Sequence, residues 1–244
     1  MKVAWFSPSL GGVIVSCILL VLSSTSLHSQ EINKGRYCLT YFPQPVVESY
    51  IDSLAAYLEV GFADENGMLD SITQQYIDHF TKVPIRKSKC VFFHQDTVMI
   101  REKVGEDVSS AYLVIPEANE LLTKKEGELI RAPYKIDEEE SSGHFDFFVR
   151  EIKDDTKVIE GFPCYRVEIK EVYYPGGESD PREKDYVLYV TDRIKVPGSV
   201  ILGNNMQEDI SCPLEVTEPL NNEVMITYRA QGMRFSLEAG TFTL

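Results

Sequence analysis

Residues 154–202 read DDTKVIEGFPCYRVEIKEVYYPGGESDPREKDYVLYVTDRIKVPGSVIL, and this stretch decides the fold. A turn at Gly161 leads into a strand over residues 163–174, a polar Gly/Pro loop follows, and a second strand runs over 185–191. Val196-Pro197-Gly198 then forms a short turn into a third apolar run, which makes a β-meander with Cys164 at the start of its first strand. In that strand Tyr165, Val167 and Ile169 alternate with Arg166, Glu168 and Lys170, predicting one buried and one wet face, with Cys164 in the wet register. The second strand is apolar on both faces, Tyr186, Leu188 and Val190 against Val187 and Tyr189, so its second face must be covered by protein or by a ligand.

Towards the N-terminus, alternation over 34–42 predicts a strand, ended by Pro43 and Pro45. Val47, Tyr50, Ile51, Leu54 and Leu58 then recur at helical spacing, with Pro45 at the helix mouth and Gly61 as its stop. A second helix is expected from a Ser71/Gln74 capping box, with Leu69, Ile72, Tyr76, Phe80 and Val83 as its apolar face and Pro84 as its limit. Between the helices, Asp64-Glu65-Asn66-Gly67 resembles part of a calcium loop. With Gly67 at the sixth position, Phe62 and Thr73 occupy the first and twelfth, where carboxylates are required, so it reads as a turn.

Beyond Pro84 the period changes to 2. Strands are expected at 89–94, 98–104, 111–115, 129–134 and 145–152, and after the meander at 214–217, 223–230 and 233–239, with Asn221-Asn222 and Gln231-Gly232 as the last hairpin turns. The acidic patch 137–143 (DEEESSG) reads as an exposed loop. The expected class is α+β: a curved antiparallel sheet, a half-barrel, with the two early helices packed on one face.

The first 29 residues read as a signal peptide: Lys2, an apolar segment densest over 11–22, then small polar residues, with cleavage after Ser29 leaving Gln30 first. The alternatives are an uncleaved anchor and lipidation at Cys17; Pro8, Gly11 and Gly12 interrupt the span, and ILLVL follows Cys17 where a polar tether would be expected. Residues 30–244 then form a single domain. Removing the leader takes away Lys2 and Trp5, the only tryptophan, and leaves 23 Lys and Arg against 38 Asp and Glu, a net charge of −15. Such a surface repels phosphate, so no nucleic acid is expected, and the membrane is met only through the leader. The basic clusters at 86–89 and 124–125 read as solvated turns. Cys38, Cys90, Cys164 and Cys212 remain, an even number that suggests two disulfides in one of three connectivities, with buried free thiols as the alternative.

Catalytic signatures are missing. The sequence holds no Gly-x-Ser-x-Gly, His-Glu-x-x-His or phosphate loop, so the chain is read as a non-enzyme without cofactor or metal. Cys90 and His94 share a strand face but lack a second ligand pair for zinc. His144 and Asp146 also share a face; a hydrolase built on them, or on His94, would need a neighbouring nucleophile.

The central stretch resembles the GLPGLI family of exported proteins of Gram-negative bacteria. The similar elements are Ile159-Glu160-Gly161-Phe162-Pro163-Cys164-Tyr165, then Tyr189 with Thr191-Asp192 and Ile194, then Val196-Pro197-Gly198 with Val200-Ile201, about a fifth of the chain. The resemblance implies export to the periplasm or cell surface and kinship with periplasmic lipoprotein carriers of half-barrel fold. It brings no activity or catalytic residues. The expectation is therefore a module binding an apolar ligand (a lipid or acyl chain) or a partner segment through Tyr165, Val167, Ile169, Val187 and Tyr189. The rival expectation is a structural or interaction protein of the envelope without a small ligand.

Overall fold

A computed structural model describes residues 31–63, 69–125, 127–134, 143–175, 180–203, 210–221 and 223–244. The expected leader, the Asp64–Gly67 segment, most of the acidic patch and the Gly176-Gly177 turn lie outside the described residues. The elements in order are β1 (Lys34–Tyr41), α1 (Pro45–Phe62), α2 (Ser71–Arg86), β2 (Lys87–His94), β3 (Thr97–Val104), β4 (Asp107–Ile115), β5 (Glu120–Lys125) and β6 (Glu128–Pro133). They continue with β7 (Gly143–Ile159), β8 (Phe162–Pro175), β9 (Arg182–Thr191), α3 (Gly198–Leu202), β10 (Cys212–Pro219) and β11 (Met225–Arg234). All eleven strands form one open antiparallel sheet in the order β6-β5-β4-β3-β2-β1-β11-β10-β9-β8-β7.

Register assigns the two faces. On the first, Tyr37 opposes Val91 and Val91 opposes Ile100; further along, Tyr41, Tyr228, Val216, Leu188 and Val167 stand opposite one another from β1 through β11, β10 and β9 to β8. Tyr37, Val91, Ile100, Leu188 and Val167 are all buried. On the second face the parallel row runs Thr40, Arg229, Glu215, Tyr189, Arg166. At β3 that face is covered by the C-terminal segment, where Arg101 Nη2 donates to the carbonyl of Thr241 at 3.1 Å.

The α+β half-barrel expectation is corrected to a mostly-β open sheet. The helices start where the spacing placed them, but they pair chiefly with each other and, among the described side chains, bury only Val47, Ile51, Ile77 and Thr81. Two members of the apolar face expected for α2 are turned outward, Ile72 at 78% exposed and Tyr76 at 51%, because Ile77 and Thr81 take the buried positions. Its N-cap is Asp70, whose carboxylate accepts from the Thr73 amide at 2.7 Å, one residue before the expected cap. Pro84 lies inside α2 rather than ending it. It sits in the last turn, and Tyr228 Oη donates to its carbonyl at 3.0 Å, so the tertiary contact holds the residue that local rules would exclude.

Other departures have separate causes. The third apolar run of the meander is α3, not a strand: a Cβ at Gly198 would stand 2.3 Å from Ile210 Cγ1, so only glycine lets the helix start against β10. Gln231-Gly232 is no hairpin turn. Gly232, at φ +66, lies inside β11, where the register with β1 shifts between Arg36 and Cys38, and β11 passes through as one bulged strand. β5 escaped the sequence reading because its Lys124 and Lys125 hide a short strand.

Cys38 and Cys90 oppose each other on β1 and β2 and form a disulfide. Cys164 and Cys212 are buried thiols on β8 and β10, with β9 between them, so the expected second bridge is absent. Cys164 is 2% exposed, against its expected wet register. Burial pushes both thiols up to about 12. A raised native value contributes stability that is complete below the ordinary thiol range and is lost as pH climbs towards the native one.

Two outcomes test this arrangement. Leu188→Ala should cost about 2–5 kcal/mol in denaturant unfolding, whereas Val187→Ala, on the opposite face of the same strand, should cost about 1 kcal/mol or less. Alkylation of the native protein should leave Cys164 and Cys212 unmodified until it unfolds, and a reducible peptide linking Cys38 to Cys90 should appear in the digest.

Candidate functional site

The first face carries a cleft where the helices, α3 and the sheet ends meet. Two adjoining cavities, of about 200 and 320 Å³, share Lys87, Glu218 and Tyr228. The first is bounded by Leu39, Tyr186 and Val216 from the sheet and by Ile201 and Leu202 from α3. The second is bounded by Tyr50 and Leu54 of α1, Val83 and Pro84 of α2, and Leu220 and Ile226. Strand periodicity explains the two cations: Lys87 and Lys89 share the face of Val91 and Phe93, so the start of β2 carries them into the cleft, where Glu102 and Glu218 also stand.

Lys89 is held there. Its Nζ donates to the carbonyl of Ile201 at 2.7 Å and lies 3.4 Å from Glu102 Oε1. Burial lowers the Lys89 pKa, and the Glu102 charge only partly offsets this. Burial raises Glu102, but the Lys89 charge and the Ser110 hydroxyl overcome it and hold the carboxyl below its ordinary value. Tyr186 Oη donates to Glu171 Oε2 at 3.2 Å, and burial together with Glu171 and Glu218 pushes its phenol up; Tyr228 is raised by burial and by Glu218. The cleft thus offers an amphipathic lining, with aliphatic side chains from α1, α3 and the sheet beside fixed charged and phenolic groups.

The second face of β9 is partly covered by charged side chains of neighbouring strands. Glu215, with its side chain 6% exposed, accepts from Lys157 Nζ and, at 2.5 Å, from Arg229 Nε. Lys157 Nζ also lies 3.5 Å from the centre of the Tyr189 ring, and the Arg229 guanidinium stands 3.7 Å from that of Phe42. Tyr189 Oη donates to Asp155 Oδ1 at 3.0 Å, and Arg166 reaches Asp155 at 3.3 Å and Glu168 at 2.7 Å. β7 supplies Asp155 and Lys157 because its register slips between Ile152 and Thr156.

The residues expected to bind ligand are divided between these environments. Tyr165, Val167 and Ile169 are buried on the first face, opposite Val190, Leu188 and Tyr186; Val187 and Tyr189 lie on the second. None of the five borders the cleft. Sequence reading missed Lys87, Lys89, Glu102, Glu218 and Tyr228. The available signal was the period-2 register of Lys87 and Lys89 with Val91 and Phe93, set aside when 86–89 was taken as a solvated turn.

His144 Nε2 lies 2.8 Å from Asp146 Oδ1, both half-exposed on the outermost strand, and its ring stacks on Tyr174. Cys90 is consumed by its disulfide, which removes the Cys90/His94 metal pair. Among the described residues no group of three or more His, Cys, Asp or Glu is placed to hold a metal, and no helix is long and apolar enough to cross a membrane.

No family model and no curated protein matches the chain. Among solved structures, the DNA polymerase III beta chain of Streptococcus pneumoniae is 6% identical over 83% of this chain and 66% of its own length, with a TM-score of 0.11, a likeness that carries no argument.

Glu215→Ala should cost about 2–3 kcal/mol, since it strands two cations that now share one buried carboxylate. A Lys157→Met, Arg229→Met, Glu215→Leu triple variant should recover most of that loss in the same unfolding assay. In alkaline titration, absorbance of ionised tyrosine should lag behind that of the unfolded chain. The raised phenols of Tyr186 and Tyr228 contribute stability that is complete below about pH 10 and is lost above it.

Proposed function

We propose that the protein is an exported binding module that takes an apolar ligand, a lipid or acyl chain, into the cleft between α1, α2, α3 and the sheet. The observation that carries this reading is the pair of adjoining cavities, whose walls join aliphatic side chains to charged and phenolic ones and hold a lysine pair at the start of β2. Their combined extent suits one chain of an amphiphile. Export to the periplasm or cell surface follows from the leader pattern, and the Cys38–Cys90 bridge suits an oxidising compartment. Kinship with the exported GLPGLI proteins belongs to the same proposal. It rests on the order of three short elements, two of which bracket the approach to α3.

Titration with a fluorescent long-chain fatty acid tests the reading. Saturable binding is expected for the wild type. Leu54→Trp, which fills the helix side of the cleft, should weaken it about tenfold or more while leaving the melting temperature nearly unchanged. Absence of saturable binding, or equal binding by Leu54→Trp, would overturn the proposal.

A second reading, an envelope interaction protein without a small ligand, draws on the outer end of the helix pair. There Tyr57, Val60, Phe62, Ile72 and Tyr76 are between 51% and 82% exposed, with Phe62 and Tyr76 in edge-to-face contact. If fatty acid does not bind, Val60→Ser should then impair function in cells without altering the fold.

A further inference from the structure

We infer that the outer edge of β7 pairs with the same edge of a second copy of this chain, antiparallel and about a two-fold axis through Phe148. The sheet has two edges, β6 and β7. β6 is six residues long and ends in Pro133, the usual way of closing an edge to further pairing. β7 is different: it is seventeen residues long, and among the described residues no backbone hydrogen bond runs along its outer edge. Its unbroken part is 143–152, where pairing with β8 stays in register until the slip before Thr156.

Within that part the five residues from Asp146 to Arg150 are complementary to themselves. A two-fold antiparallel pair places residues of equal parity opposite each other, so each face continues across the junction. Centring on Phe148 sets Asp146 against Arg150 twice, Phe147 against Val149 twice, and Phe148 against itself. It uses 144–152, sets Phe145 against Glu151 and His144 against Ile152 at its two ends, and stops where the register slips, whereas its centre keeps Asp146 opposite a cation. Centring on Asp146 or Arg150 would oppose like charges, and centring on Phe147 or Val149 would leave Asp146 facing Phe148 or Ile152. The side chains agree with this choice. Phe148 is 59% exposed on the second face, and a partner's Phe148 would cover it. Phe147 and Val149 pack at the rim of the core on the first face, so the pairing would carry the apolar layer from one copy into the next. The charged second half of β7, from Lys153 to Lys157, lies beyond the slip and is spent on its own sheet through Asp155 and Lys157.

Sedimentation equilibrium of the purified protein tests the inference. The wild type should be a reversible dimer, and Phe148→Lys should be a monomer with an unchanged circular dichroism spectrum and melting temperature. Asp146→Arg and Arg150→Asp should each raise the dimer dissociation constant about tenfold or more, by setting like charges opposite each other, and the combined reversal should restore it to within about threefold of wild type. A wild type that stays monomeric over about a hundredfold range of concentration around the micromolar level would overturn the inference. So would a dimer that both single reversals leave intact, or one that the double reversal fails to rescue.

Discussion

The pairing of β1 with β11 is the constraint on which the rest of the structure depends. Two runs of sequential strands, β2 to β6 and β7 to β11, become one sheet only because β1 stands between β2 and β11 and bonds to both. The seam joins residues almost two hundred positions apart, so its loop-closure cost must be met by what it buries. Leu39 and Ala230 meet there in the core, and Tyr37 Oη reaches past β11 to lie 3.2 Å from Cys212 Sγ and 3.3 Å from the Pro213 carbonyl on β10. On the other face the disulfide pins β1 to β2, and the row from Thr40 through Arg229 to Glu215 continues the connection into β10. The cleft exists because of this seam: its lining comes from β1, β2 and β3 on one side and from β9, β10 and β11 on the other.

Much of the fold was legible in the sequence. Period 2 in β8 correctly assigned Tyr165, Val167 and Ile169 to a buried face, and helical spacing located α1 within a residue and the start of α2, though α2 runs on through Pro84 to Arg86. Most of these failures share a cause, which is that the deciding contact lay outside the segment being read. Pro84 stays helical because Tyr228 meets it, and α3 is a helix because Gly198 lies against Ile210. Ile72 faces outward because the sheet takes up Ile77 instead. The fold class failed in the same way, since amphipathic helices were assumed to spend their apolar faces on the sheet, and these spend few of them there.

The site was less legible than the fold. Apolar strand residues are natural candidates for ligand contacts, yet the most apolar strands are the core itself, and the second face of β9 carries ion pairs that reach it from the distant β7 and β11. A cleft arises instead where strand ends, helices and a short connecting helix fail to close over one another. Its polar members, Lys89 and Glu102, are oppositely charged partners on neighbouring strands. Only register identifies such a pair, and register is not written in either strand alone.

Amide hydrogen exchange resolved to residues 34–41 and 225–234 tests the central claim most directly. If β1 and β11 form the seam of a single cooperative sheet, their amides should exchange together, at the slow limit set by global unfolding and at the same rate as the core of β8 and β9. Exchange of β1 through a cheaper opening, with β2 to β6 released while β7 to β11 stay protected, would contradict it and divide the protein into two units.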